Sequence, residues 1–434
     1  MEPLHSVSFL IFLIGLLIVA SVTLRVVLER TFVPPLIGFI TLGFLVRLGD
    51  LEWDLISTDG KFALDVLAEL GIIALLFRIG LESNLAGLLR QLPTASFVWI
   101  GDVAVSAAIG YVAMAYVLGF DTIPSLIAAS ALTATSLGVS VGMWREHKAL
   151  GTEEGELLTD VAEMDDLSGI AIMAVLFAIL PVARAAASLG TTEMSSASLS
   201  QALISIIAIL LAKFGLFSLA CFLFARYGEL HLRRSFERLA SPPELVVLIG
   251  GTGILISGAA AWLGFSAAIG ALFAGLAFSR DPESVKVDAG FRGIYHLLAP
   301  FFFIGIGLSL DPAALGSAIW AGAALTIAAV AGKLLGVGLP AYLSTSVAGA
   351  TLIGVSMVPR AEITMIIMEH GQQLGPWAVP PQLYAAMVIV SAVTCFITPL
   401  VLGQLFHRYS DSLHPEGRTA SSRRKPRRQS GTTP

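Results

Sequence analysis

Four carboxylates crowd one stretch that otherwise reads as a membrane span. Residues 159–180 run TDVAEMDDLSGIAIMAVLFAIL, with Asp160, Glu163, Asp165 and Asp166 in the first half. An ionisable group inside a bilayer costs about 2.5–3.5 kcal/mol on insertion scales, so it must face protein or water. Asp165 and Asp166 are adjacent and point about 100° apart around a helix axis. They do not share one direction, but both can reach a wide interior groove. Two carboxylates at such range repel unless a positive charge intervenes, and a proton, a metal ion or a lysine can each supply it. Swapping one such charge for another is the chemistry this pair suggests. Asp160 and Glu163 lie nearer the helix start, where acids suit the helix dipole and face water.

A second group sits in residues 326–342, TIAAVAGKLLGVGLPAY, where Lys333 has apolar residues on both sides. A buried ammonium needs an anion partner or must lose its charge. The only dense acid cluster in the neighbouring spans is Asp165/Asp166, so the expected ion pair is Lys333 with Asp165. Two further segments look unfit for continuous helix. Residues 131–142, ALTATSLGVSVG, are rich in hydroxyls and glycines, and residues 354–364, GVSMVPRAEIT, place Pro359 before Arg360 and Glu362. Interrupted spans at matching places in two halves of a transporter are the best sequence pointer to a substrate site. Their freed carbonyls and hydroxyls are oxygen ligands of the kind hard cations such as Na⁺ prefer.

These groups need an apolar frame, and the composition supplies one. Of 434 residues, 56% are hydrophobic and only 13% charged, with a mean hydropathy of +0.84; a soluble domain is nearer half apolar and a quarter charged. Apolar runs of membrane-crossing length recur, which predicts an all-α polytopic membrane protein rather than a β-barrel. About thirteen spans are expected, over residues 6–28, 33–49, 62–82, 95–118, 123–143, 157–181, 201–225, 243–261, 264–279, 294–310, 316–341, 346–373 and 382–404. The first lacks the basic flank and cleavage site of a signal peptide and reads as a retained helix. Cys221 and Cys395 lie inside apolar runs, which argues against a disulfide framework or a cysteine metal site.

Lys and Arg placement sets the expected orientation. With the N-terminus outside, 19 of the 26 basic residues fall at inner ends, inner loops or the tail, and only Arg47, Lys61 and Arg184 at outer ends. Arg78, Lys213, Lys333 and Arg360 lie within spans. The C-terminus is then cytoplasmic, and the basic Ser- and Pro-containing segment 405–434 reads as a disordered tail. The second span, PPLIGFITLGFLV, echoes the ninth, SAAIGALFAGLAF, and the third, LLFRIGLESNLAGL, echoes the tenth, FFFIGIGLSLDPAAL. Each pair is seven spans apart. An odd offset inverts the second copy in the membrane, which suggests two inverted six-helix repeats, spans 1–6 and 8–13, joined by the seventh.

With these motifs in order, the chain resembles the second group of bacterial monovalent cation/proton antiporters, the sodium/hydrogen exchanger domain. The resemblance covers about residues 6–404 and rests on VPPLIGFITLGFLV, LAELGIIALLFRIGLE, ALTATSLGVSV, MDDLSG, LGFSAAIGALFAGLAFS, PFFFIGIGLSLD, GKLLG and MVPRAE. It implies a homodimer whose protomers each hold a dimerisation domain (about 6–49 and 243–279), a linker helix (about 201–225) and a mobile core (about 62–181 and 294–404). Two crossed, discontinuous helices would lie in that core. It also implies that Asp166 carries cation and proton, that Asp165 is its partner and pairs with Lys333, and that Thr135 and Ser136 flank the ion. Thr133, Arg360 and Glu362 are expected as polar support. Members with this double aspartate and lysine are typically electrogenic. Arg78, Glu163 and Ala361 depart from the family pattern, and Arg78 is expected either to pair with Glu82 one turn on or to mark an altered path.

The reading favoured is exchange of Na⁺, or Li⁺, for H⁺ by a multi-pass protein of the plasma (inner) membrane. It calls for no cofactor, transition metal or nucleic-acid partner. A K⁺/H⁺ exchanger or K⁺ efflux system is the nearest alternative, and a transporter-shaped sensor is an alternative of another class. An enzyme is not expected, because the seven histidines show no catalytic spacing. Among them, His147 and His231 are expected in cytoplasmic loops.

Overall fold

The computed structural model describes residues 7–31, 33–82, 85–188, 196–228, 242–279 and 284–413. Among these the chain is all-helical, with fifteen helices and no strand. They are α1 (Val7–Leu28), α2 (Pro35–Trp53), α3 (Thr58–Glu82), α4 (Leu85–Val112, prolonged by a π turn Ala113–Val117), α5 (Thr122–Thr133), α6 (Leu137–Glu146), α7 (Glu153–Ser188) and α8 (Ser196–Leu223, with a π turn Phe224–Gly228). The second part holds α9 (Pro242–Trp262), α10 (Ala267–Phe278), α11 (Ser284–Ser309), α12 (Pro312–Lys333, running on through a π turn Leu334–Gly338 to Leu339–Tyr342), α13 (Val347–Ser356), α14 (Glu362–Leu374) and α15 (Pro381–Leu413).

The thirteen expected spans are all present. The fifth and twelfth are the two that break, into α5/α6 and α13/α14. Five described helices are by themselves long and apolar enough to cross a membrane. Others are shortened by a break or, like α7, carry charge, and depend on neighbours. The tight junction between α9 and α10 is made by Gly264, whose φ of 90° suits a residue without Cβ. Ser266 then caps α10 by accepting from the Ala268 amide at 3.2 Å.

Packing divides the helices into two groups. In one, α3 lies along α10 and α11, α2 along α11, and α9 along α10; α1 packs on α2. In the other, α4 contacts α5, α7 and α12, while α12 and α15 run together and α14 meets α5. The sequence-based boundary put residues 62–82 and 294–310 with the core. In the structure α3 and α11 pack mainly on each other, α3 also on α10 and α11 also on α2, along glycine-bearing faces.

The glycines also expose the repeat. Gly43 of α2 lies so close to the Ile304 carbonyl of α11 that a Cβ would overlap it, and Gly275 of α10 meets the Phe77 carbonyl of α3 in the same way. In the sequence echo Gly43 corresponds to Gly275, and Ile304 to Phe77. The reciprocal contacts also match: Gly307 meets the Ile40 carbonyl and Gly80 the Leu272 carbonyl. One packing solution is thus used twice, each time between a helix of one copy and a helix of the other.

At the C-terminus α15 runs to Leu413 and does not stop near 404. Phe406, 1% exposed, explains the extension: its ring packs edge-on against Trp144 at 5.3 Å. The remainder of the expected tail, 414–434, and His231 lie outside the described residues. His147 stacks on Phe406 with centroids 4.4 Å apart.

A candidate ion-exchange site at the crossing of two broken helices

The two breaks meet. Helix α5 ends at Thr133 where Ala134 turns extended, and α6 begins after Ser136. Helix α13 ends at Ser356, and α14 begins at Glu362 after Pro359, which has no amide hydrogen to continue a helix. The extended strands of chain cross and bond to each other: the Ser136 amide donates to the Pro359 carbonyl at 2.9 Å. Thr364 Oγ1 donates to the Ala131 carbonyl at 2.9 Å, and Ser140 Oγ to the Ser356 carbonyl at 2.6 Å. Trp144 Nε1 reaches Ser356 Oγ at 2.7 Å. Backbone groups that lost their helical partners are satisfied by the opposite segment, as an apolar interior requires.

Each broken helix leaves carbonyls at its C-terminal end, where the helix dipole is negative. A cation covers each one. Lys333 Nζ donates to the Thr133 carbonyl at 2.6 Å, and Arg360 Nη1 to the Met357 carbonyl at 3.1 Å. Both side chains are fully buried. Further bonds hold the Arg360 backbone: its amide donates to Thr394 Oγ1 at 3.1 Å, and its carbonyl accepts from Ser391.

Carboxylates gather around Lys333. Asp165, 0% exposed, accepts from Lys333 Nζ at 3.0 Å and from Thr135 Oγ1 at 2.5 Å, both on Oδ2. The expected pair of Lys333 with Asp165 is therefore in contact, but it is not the closest one. Asp102 Oδ2 of α4 lies 2.6 Å from Lys333 Nζ, and this residue too is fully buried. Sequence reasoning passed over Asp102. It is a lone acid in VWIGDVAVSAAIGY, and the argument that flagged Asp165 applies to it equally. The search for a cluster hid it, since its partners come from other helices.

Asp166 differs from its neighbour. It is half-buried and has no hydrogen-bond or ion-pair partner among the described residues. The charges that bear on it are those of Asp165, Glu362, Lys333 and Glu163. Glu362, also half-buried, stands in the first turn of α14, where its charge suits the helix N-terminus. Thr133 and Ser136 are buried; the Thr133 carbonyl, not its hydroxyl, is what meets Lys333. The Arg78 guanidinium lies 4.5 Å over the Tyr295 ring, and the Glu82 side chain expected to pair with it lies outside the described residues. Asp160 and Glu163 are half-buried in the first third of α7.

Two cavities approach this crossing from opposite faces. The larger, about 600 Å³, opens on the face that carries the C-terminal end of α15 and is lined by Arg25, Arg78, Ser136, Glu146, His296 and Glu362. The smaller, about 320 Å³, is lined by Glu69, Phe177, Ser266, His370 and Gln373. Each is bordered by the turn between two scaffold helices, α1–α2 or α9–α10, and by one half of a broken span, α6 or α14. They are the same hollow made by the two repeats. Only the larger reaches residues at the breaks, Ser136 and Glu362. On the other face Ser266 and His370 bond at 2.6 Å across the two helix groups.

A crossed pair of broken helices with buried acids at the crossing, and a cavity that reaches Ser136 and Glu362, offers the oxygen donors that a small cation would need. The family profile described as "Sodium/hydrogen exchanger, transmembrane" matches residues 14–408. The chain belongs to the sodium/hydrogen exchanger family. Among exchanger relatives, a high-affinity Na⁺/H⁺ antiporter of Synechocystis is 27% identical over 360 residues, 81% of this chain and 74% of that one. A Na⁺/H⁺ antiporter of Enterococcus hirae is 25% identical over 390 residues, 89% and 95% of the two chains. The solved structure of a sodium proton antiporter from Methanocaldococcus jannaschii superposes with a TM-score of 0.68 at 14% identity, covering 94% of this chain and 98% of that one; at this identity it shows the shared fold. In this exchanger both breaks fall inside the family match, which begins within α1 and ends within α15.

Proposed function

We propose that this exchanger moves Na⁺ against H⁺ across a bacterial plasma membrane, with Asp166 and Asp165 as the groups that hold either ion. The observation that carries this is the contrast between the two aspartates. Asp165 is anchored by Lys333 and Thr135, while Asp166, beside it, is half-buried and has no partner among the described residues. An anchored carboxylate fixes where the ion sits, and an unpartnered one is free to take it. The Thr135 hydroxyl and the carbonyls released at the breaks are hard oxygen donors that suit Na⁺ or Li⁺.

Protons and Na⁺ compete for the same carboxylates, so neither leaves until the other arrives. Alternating access follows if the α4–α7 and α12–α15 group moves against α1–α3 and α9–α11, opening one hollow as the other closes. With the C-terminus cytoplasmic, as the basic residues imply, the larger cavity faces inward. Two protons in per Na⁺ out leaves one charge to move, and each 100 mV then contributes about 2.3 kcal/mol to the gradient. Dimerisation through the α1–α3 and α9–α11 group belongs to the same proposal.

The test is exchange in proteoliposomes with a pH gradient and Na⁺, Li⁺ and K⁺ supplied separately. Na⁺ and Li⁺ should drive proton movement, and Asp166→Asn should abolish it while the protein stays folded by size exclusion. Full exchange in Asp166→Asn would sink the site assignment, and a response to K⁺ alone would replace the ion.

A further inference from the structure

The exchange just described does not require Asp102, yet Asp102 makes the shortest ion pair at the crossing. We propose that Asp102 is a positioning residue that keeps Lys333 protonated throughout the cycle, so that both exchanged protons ride on Asp165 and Asp166 and none on the lysine. This rests on the assignment of exchange to those two aspartates.

The geometry around Lys333 is that of a saturated ammonium. Three N–H bonds meet three acceptors: Asp102 Oδ2 at 2.6 Å, the Thr133 carbonyl at 2.6 Å and Asp165 Oδ2 at 3.0 Å. A neutral amine has two hydrogens and a lone pair, and a lone pair here would face an oxygen. Of the two carboxylates Asp102 is the nearer, and Ser106 Oγ of the same helix steadies its other oxygen at 3.1 Å. When Na⁺ takes Asp165, the ammonium keeps Asp102 and the Thr133 carbonyl. Evicting a lysine proton by drawing Asp165 away would require that the lysine have no second anion. Here it has one, and losing the proton would strand Asp102 as a buried carboxylate without its cation.

The charges then balance simply. Asp102 and Lys333 sum to zero in every state. With a proton on each of Asp165 and Asp166 the four groups are neutral; with both deprotonated and one Na⁺ bound they carry one negative charge. Two O–H bonds break for each Na⁺ that binds. The Asp165 proton goes on Oδ1, the oxygen that has no partner among the described residues, because Oδ2 already accepts from Lys333 and Thr135.

The experiment reads the Na⁺ gradient that balances a fixed pH gradient in proteoliposomes, as membrane voltage is varied. For two-for-one exchange 100 mV shifts the balancing Na⁺ ratio about fifty-fold, and for one-for-one exchange not at all. Two variants separate the carriers. Lys333→Arg cannot release a proton, and Asp102→Asn/Lys333→Gln removes the pair without changing net charge. Both should keep the fifty-fold shift whatever their rates, and Asp102→Asn alone should be slower than the double variant by at least about tenfold, since it leaves the ammonium one carboxylate short. A voltage shift present in the wild type but lost in either variant would put the proton on the lysine. A folded but inactive double variant, or Asp102→Asn indistinguishable from wild type, would equally overturn the role. Wild-type exchange that ignores voltage rejects two carriers while leaving exchange itself standing; only a wild type with no cation-dependent proton movement removes the underlying reading.

Discussion

Replacing Thr135 by valine tests the anchoring of Asp165 with little change of shape. Thr135 is 5% exposed, donates to Asp165 Oδ2 at 2.5 Å, and has Arg360 Nη1 3.4 Å from its oxygen. Valine fills the same space, so no cavity opens, but one of the two donors to that carboxylate is gone. A hydrogen bond to a charged group contributes about 1.5–3 kcal/mol. Lys333 still holds Asp165, so the lower end applies, and 1.4 kcal/mol is about tenfold in an equilibrium constant. Cation binding needs the carboxylate anion that this hydroxyl supports. The half-saturating Na⁺ concentration should therefore rise about tenfold, while the rate at saturating Na⁺ stays within about threefold, because the buried Thr135 takes no part in the packing between the two helix groups. The assay is Na⁺-dependent collapse of a pH gradient in proteoliposomes across a range of Na⁺ concentrations. Thr135→Ser keeps the hydroxyl and should stay within about twofold of wild type. An unchanged half-saturation in the valine variant, or an equal loss in the serine one, would refute the anchoring argument.

Gly43→Ala and Gly275→Ala should each lower thermal stability in detergent by about 1–3 kcal/mol, because both Cβ atoms meet a backbone carbonyl that cannot yield. Gly258→Ala, at an open position on α9, is the control and should not destabilise; unequal losses at the two repeat positions would break the symmetry argument. Ser356→Ala leaves the buried Trp144 Nε1 without its 2.7 Å acceptor and should cost about 1–3 kcal/mol, with Trp144→Phe in the same chain restoring part of it by differential scanning. Raising the pH should lower the half-saturating Na⁺ concentration, because fewer protons compete for Asp165 and Asp166; a pH-independent value would mean the two ions bind different groups.

What the sequence revealed followed the strength of each physical signal. Thirteen spans were legible because a bilayer demands long apolar runs, and both breaks because Pro359 and the hydroxyls of residues 133–136 offend a continuous helix. Lys333 was legible for the same reason as the aspartates: nothing near it in sequence could neutralise it. Asp102 obeyed the same rule and was missed, since its partner stands 231 positions away. The packing of α3 and α11 was not legible for a different reason. Which neighbours a span packs against depends on small residues along one face, and the positions of Gly80, Gly305 and Gly307 held that information without being read for it. The end of α15 was set too early because the basic, Ser- and Pro-containing segment after residue 404 looked like a tail, while its buried Phe406 faces Trp144.

The two halves of the repeat share a frame but not a charge. Lys333 and Arg360 perform one structural task, covering the carbonyl end of a broken helix. Lys333 does so with two carboxylates at hand, whereas Arg360 has none within hydrogen-bond reach, and its Nε and Nη2 have no partner among the described residues. Counted together, Asp102, Asp165, Asp166 and Glu362 against Lys333 and Arg360 leave two negative charges at the crossing. Two protons neutralise them completely and one Na⁺ only half. A proton-loaded crossing can therefore traverse an apolar barrier with no net charge, and a Na⁺-loaded one traverses it with a single negative charge. In the proposed cycle, symmetry of the frame lets the site open to either face, and asymmetry of the charges sets what it carries and how the membrane voltage acts on the return.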